Sequence, residues 1–298
     1  TSSITDAGWL VRNDGDFTVN GTSDWELDSI ISGDGNLIKK SASNLTLTSI
    51  SLFTGDVTIS NGSFTVTGAL GDTVDVINES DGVYIVNSTD TIQSLSGAGS
   101  VTLGSGFTLT TGDAGDDTIS GVISGTGSFE KTGVGKLTLS EANTFTGATT
   151  ISAGTLDVTG ALSDSTDMVN EGAYIVSATD RIQSLSGAGS VLLGSGFTLT
   201  TGDAGDDVFS GVISGDGSLI KAGDGTLTLS GASTFTGGTD ISGGTIKLGA
   251  SSASSPVTGP LGTNAVTIHF GAALDLAGNT LSNSLSVAGD GIGSKGAI

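Results

Sequence analysis

The chain has 298 residues, 50 of them glycine, about 17% against a usual share of roughly 7%, yet two prolines and no glycine at every third position exclude collagen. No cysteine and a single histidine exclude disulfides, thiolate metal sites, cysteine nucleophiles and multi-histidine metal centres. Nine basic residues against 31 acidic ones leave a net charge of −22, the wrong sign for a nucleic-acid partner.

The chain opens Thr1-Ser2-Ser3, with no methionine and no apolar signal stretch. Trp9 and Trp25, the only tryptophans, are expected to pack over the first coil of the fold. From there the unit of sequence is a short run with every second residue apolar. Leu45-Thr46-Leu47, Val57-Thr58-Ile59, Phe64-Thr65-Val66, Val101-Thr102-Leu103 and Phe107-Thr108-Leu109 are followed by Leu137-Thr138-Leu139 and Leu156-Asp157-Val158. Phe197-Thr198-Leu199, Leu227-Thr228-Leu229, Val266-Thr267-Ile268 and Leu274-Asp275-Leu276 continue the series. This alternation places the apolar pair on one face of a strand and Thr or Asp on the other. Gly, Asn, Asp and Ser fill the gaps as turn residues, and no stretch has the period of an amphipathic helix. The longest apolar runs, such as Val83-Tyr84-Ile85-Val86, are too short to cross a bilayer as a helix, so direct membrane insertion is not expected. The last residues, Gly296-Ala297-Ile298, break off in mid-pattern and read as a truncation.

The chain also repeats itself. Residues 90–125 and 180–215 agree at 32 of 36 positions, differing at Thr91/Arg181, Thr102/Leu192, Thr118/Val208 and Ile119/Phe209. A more worn copy begins at Ile31, so blocks near 31–122, 123–212 and 213–298 make up one continuous solenoid over 1–298. A sandwich closes after some seven to nine strands and about 100 residues. Tandem blocks without linker composition fit a solenoid instead. The expectation is an all-β fold of stacked coils with no significant helix. Four coils to a 90-residue block give about 22 residues per coil, about 13 coils and roughly 60 Å of stacked strands; three coils of about 30 residues are the alternative.

A longer motif lies over this pattern. It runs Gly125-x-Gly127-x-Phe129-x-Lys131-x-Gly133-x-Gly135-x-Leu137-x-Leu139 and continues through Glu141, Asn143, Phe145, Gly147, Thr149 and Ile151 to Gly154 and Leu156. It returns from Gly215 through Lys221, Gly223, Gly225, Leu227, Leu229, Ser233, Phe235, Gly237, Thr239 and Ile241 to Gly244 and Ile246. The worn copy from Gly33 to Phe64 keeps the spacing but has Ser41 and Ser43 for its middle glycines. This resembles the passenger-associated transport repeat of bacterial autotransporters, proteins of type V secretion. The tail from Leu261 to Ile298 resembles the coil that follows such repeats in large autotransporter adhesins. The resemblance implies a right-handed parallel β-helix, export across the outer membrane and extracellular display on a Gram-negative cell surface. It supplies no catalytic residue.

Within the repeat, Leu137, Leu139, Ile151 and Leu156 read as inward positions. Gly133, Gly135, Gly147 and Gly154 read as corners, and Lys131 and Lys221 as solvated corner residues. Gly112 to Ser120 and Gly202 to Ser210 resemble the calcium-binding nonapeptide, which makes Asp113, Asp116, Asp117, Asp203, Asp206 and Asp207 calcium candidates. That motif works in back-to-back tandem, however, and these copies belong to separate blocks, which favours a plain acidic hairpin tip; no other cofactor is expected. His269 reads as an exposed strand residue, because no nucleophile elbow accompanies it. The pairs Thr46/Thr48, Thr108/Thr110 and Thr198/Thr200 are candidate outward ranks for ice or sugar. The functional expectation is a non-enzymatic, adhesive or self-associating passenger segment whose partners are a second copy, a host or surface glycan, or a protein. Its rivals are the stalk of a larger secreted enzyme and a calcium- or polysaccharide-binding β-helix.

Overall fold

The structure is a computed structural model and describes residues 2–4, 10–254, 257–289, 291–292 and 296–298. Trp9 lies outside the described residues; Trp25 begins the strand Trp25–Leu27, half-buried, and pairs with Leu45. The chain divides into two compact units, Thr1–Ala148 and Thr149–Ile298. Among the described residues the regular structure of both is strand. No helix is long and apolar enough to cross a membrane, which leaves β-barrels unaddressed.

Each unit is a parallel β-solenoid. Most strands pair in parallel with the strand one coil further along rather than with the next strand in sequence. In the first unit, Leu45 registers with Phe64, Phe64 with Tyr84, Tyr84 with Val101 and Val101 with Ile123. In the second, Leu156 registers with Tyr174, Tyr174 with Val191 and Val191 with Ile213. All nine side chains are fully buried, so the alternation in the sequence becomes continuous internal columns. The Phe64 and Tyr84 rings stack 14° from parallel at 6.2 Å between centroids. The register partners also measure the coil. Tyr84 meeting Val101 and Thr108 meeting Ser128 make most coils slightly shorter than the four-coil division of the blocks predicts. The three-coil alternative is excluded by the same pairs. One coil is longer: Ile246 registers with Leu274, and its extra residues include the short antiparallel pair Ala253–Ser254 with Val257–Thr258.

Side chains clamp the stack at the coil interval. Asp24 Oδ1 accepts from the Asn44 amide at 2.8 Å, and Asn36 Oδ1 from the Asp56 amide at 2.9 Å. Asp116 and Asp206 Oδ1 accept from the Lys136 and Thr226 amides, both at 2.9 Å. The Asn143/Ser233 difference between the repeats preserves one such clamp. Asn143 Oδ1 takes the Ile123 amide at 2.9 Å, and Ser233 Oγ takes the Ile213 amide at 3.0 Å.

Glycine marks the corners because the coils meet there backbone to backbone. Gly133 and Gly223 have φ of 66°, in the left-handed region that favours glycine. Two residues on, a Cβ at Gly135 or Gly225 would lie 1.7 Å from the carbonyl oxygen of Gly115 or Gly205, one coil earlier. No side chain fits without moving the backbone. Gly135→Ala and Gly225→Ala are therefore expected to lower stability by about 2–4 kcal/mol each. Gly15→Ala, with nothing within 4 Å of the added carbon, should stay within about 0.5 kcal/mol. Chemical denaturation of the three variants checks this.

Candidate binding surface and the corners that support it

The same parity that buries the leucines decides the lysines. Lys39, Lys131 and Lys221 end the strands Leu37–Lys39, Ser128–Lys131 and Ser218–Lys221, each two residues after a buried Leu or Phe. They face inward and are at most 1% exposed, so Lys131 and Lys221 are not the solvated corner residues that the sequence suggested. Lys39 registers with Val19 and Ile59, and Lys221 with Thr201 and Ile241, so the four-carbon stems lie in the internal columns. The ammonium groups reach corner carbonyls. Lys131 Nζ donates to Thr132 O and, at 3.0 Å, to Gly133 O. Lys221 Nζ donates to Ala222 O, to Gly223 O at 3.0 Å and to Gly243 O, a coil later, at 3.5 Å. Lys39 Nζ donates to Ser41 O and, also a coil later, to Asn61 O at 2.9 Å. Desolvation lowers the pKa of all three lysines, partly offset by nearby aspartates.

The calcium candidates lie in the turns beside these lysines; the Gly112 and Gly202 backbones pass so close that an added Cβ would be 2.9 Å from Lys131 or Lys221 Nζ. The turn puts its carboxylates to separate tasks. Asp113 and Asp203 Oδ1 cap their own turns, accepting the Gly115 and Gly205 amides at 2.7 and 2.6 Å. Asp116 and Asp206 clamp the following coil, and that bond lowers the pKa of Asp206. Asp117 and Asp207 are half-buried, and burial, then the neighbouring Asp113 or Asp203, raises their pKa. Among the described residues no group of three or more His, Asp or Glu side chains is placed to hold a metal ion.

A second acidic pair went unnoticed in the sequence. Asp90 and Asp180 are buried. The Leu70 amide donates to both Asp90 oxygens, at 3.1 and 3.2 Å. The Leu162 amide donates to Asp180 Oδ1 at 3.1 Å, and the buried Tyr174 hydroxyl donates to Oδ2 at 3.0 Å. Burial pushes both carboxyls up to about 6 despite these bonds. Alternation was the available signal: Asp90 and Asp180 share the parity of Ile92 and Ile182.

The outward faces are polar columns. In the first unit Glu26, Thr46, Thr65, Ile85, Thr102 and Ser124 follow one another from coil to coil. In the second, Arg181, Thr200, Ile220, Asp240, Thr267 and Ser286 do so. The threonines are thus interrupted by other side chains. His269 is exposed, as expected, and its Nε2 lies 2.5 Å from Asp240 Oδ1.

Two measurements test these corners. Lys131→Met and Lys221→Met keep the stem but leave the caged carbonyls without donors, which should cost about 1–3 kcal/mol; the exposed Lys40→Met should change stability by less than about 0.5 kcal/mol. For Asp90 and Asp180, a folded pKa near 6 against an ordinary 3.8 means the folded state keeps protons that the unfolded state has released. Their contribution is thus most favourable at the acid end of that window and declines as pH rises through it, by about 1–3 kcal/mol per group. Asp90→Asn with Asp180→Asn should raise Tm at pH 7 and flatten its dependence between pH 4 and 6.

The sequence profile of the passenger-associated-transport-repeat family matches residues 37–66, 129–158 and 219–248, each with its buried lysine at the third position. The chain is also 34% identical over 254 residues, 74% of its length, to the adhesin BmaC autotransporter of Brucella suis biovar 1 (strain 1330). It spans 7% of the length of that relative. No solved structure matches. Three copies of one transport repeat on coils of parallel strand, with adhesin similarity along most of the chain, place it among the passenger domains of autotransporters, of the adhesin-like kind.

Proposed function

We propose that this segment acts outside a Gram-negative cell as a non-enzymatic, adhesive part of a passenger domain. The observation that carries this reading is the similarity to an autotransporter adhesin over 74% of the chain. The faces support it. Most coils present a Thr, Ser or charged side chain in the outward columns, so many weak polar contacts add by avidity. The chemistry of the interior agrees. The buried carboxyls and ammonium groups are held by backbone groups, by a tyrosine hydroxyl and, for Lys39, also by Ser41 Oγ, an arrangement that supports the stack rather than turning over a substrate. Self-association between copies on neighbouring cells is the finer form of the same proposal.

The rival is a stalk that carries a distant functional domain, and it draws on the chain spanning only 7% of its relative. Display of the 298-residue chain on a non-adherent bacterium through a heterologous translocator separates the two. The adhesive reading expects several-fold more attachment to epithelial cells or to matrix-coated plates, or clumping of the displaying cells, than with the translocator alone. Equal behaviour, with surface display verified by antibody, would overturn it in favour of the stalk.

A further inference from the structure

The second unit carries an open groove of about 380 Å³ on its outward face, lined chiefly by Thr198, Ser218, Ile220, Gly238, Asp240 and Thr267. It crosses the strands Thr198–Thr201, Ser218–Lys221, Thr239–Ile241 and Val266–Ile268. Register explains the depression. Thr239 pairs with Leu219 and Val266, so Gly238 stands in the outward column between Ser218 and Ala265, where it contributes no side chain. Its φ of 94° keeps the position suited to glycine. Asn264 forms a rigid rim, donating to Thr236 O at 2.9 Å and accepting the Ala265 amide at 2.8 Å.

We propose that this groove binds uncharged hexose units of a surface glycan, an assignment that rests on the adhesive reading and gives it a ligand class. Asp240 offers the acceptor that a pair of neighbouring sugar hydroxyls needs. His269 holds its Oδ1 at 2.5 Å, while Oδ2 has no hydrogen-bond partner among the described residues. The Thr198 and Thr267 hydroxyls are likewise without side-chain partners there and can both donate and accept. Ile220 supplies an apolar patch for the C–H face of a sugar ring. The carboxylate, on a chain of net charge −22, repels uronate and sialate. A volume of about 380 Å³ lies at the lower end of small-ligand sites, roughly 300–1,000 Å³, and suits one or two sugar rings. A peptide adding as a strand is disfavoured, because it requires an unpaired sheet edge. Each of these four strands is paired on both sides.

The test titrates the 298-residue chain with uncharged hexose and N-acetylhexosamine oligosaccharides and with sialylated and uronate-containing counterparts, followed by saturation-transfer NMR and calorimetry. The proposal expects an uncharged oligosaccharide to bind and the acidic set to bind at least tenfold more weakly. Asp240→Ala and Thr267→Trp, with melts that verify folding, should each weaken binding at least tenfold, whereas Thr118→Trp on the first unit should leave it unchanged. Binding to none of the uncharged set, preference for the acidic set, or equal binding by both groove variants would overturn it. In the display assay, adhesion that survives Thr267→Trp removes the groove and leaves the adhesive reading standing. Absence of adhesion by the unaltered chain removes that reading, while the titration still judges the groove.

Discussion

Everything in this protein depends on the parallel backbone hydrogen bonding that joins each strand to its counterpart one coil further along. The bonds are local in space and regular in sequence. They oblige each position of one coil to meet its counterpart in the next. An inward Leu45 must then stack on Phe64 and Tyr84, and a corner glycine must approach another corner. Burial of the columns supplies the hydrophobic driving force, but the register determines which residues share it. The sidewise clamps from Asp24, Asn36, Asp116 and Asp206 follow from the same interval.

The corners are where this scheme meets resistance. Strands end there, backbone carbonyls lose their ladder partners, and buried carbonyls without donors are costly. The repeat answers with a lysine on the inward parity. Its stem extends the apolar column, and its ammonium serves two or three carbonyls, including one from the following coil in Lys39 and Lys221. Nearby aspartates moderate the cost of burying that charge. On another corner the buried carboxyls of Asp90 and Asp180 perform the complementary task of accepting backbone amides. Cation and anion alike are held where the ladder is interrupted.

With the interior committed to stacking, variation is left to the outward positions and to coil length. The two near-identical blocks differ mostly outward: Thr91/Arg181, Thr102/Leu192 and Thr118/Val208 are intermediate or exposed in both copies, and only Ile119/Phe209 lies in the core. The extra residues between Ile246 and Leu274, and the missing side chain at Gly238, create relief on an otherwise uniform face. The outer surface can change in this way without disturbing the stack that carries it.

The sequence alone determined the all-β class, the coil repeat, the inward columns and the transport repeat, because period-2 alternation and tandem similarity are local properties of the chain. Its reading of the coil length ran slightly long, since the shortest turns, as between Tyr84 and Val101, have no composition to distinguish them. The charge of Lys131 and Lys221 points to solvent while their parity points inward, each lying two residues after a buried Phe129 or Leu219. Asp90 and Asp180 were hidden for the same reason. Only the tertiary structure decided which carbonyls cage an ammonium and which carboxylate of the acidic turn clamps a neighbour. It alone brought Asp240 to His269, 29 residues apart. Those outcomes depend on which coil lies beside which, and coil-to-coil register sums every turn length between two residues, a quantity that no short stretch of sequence contains.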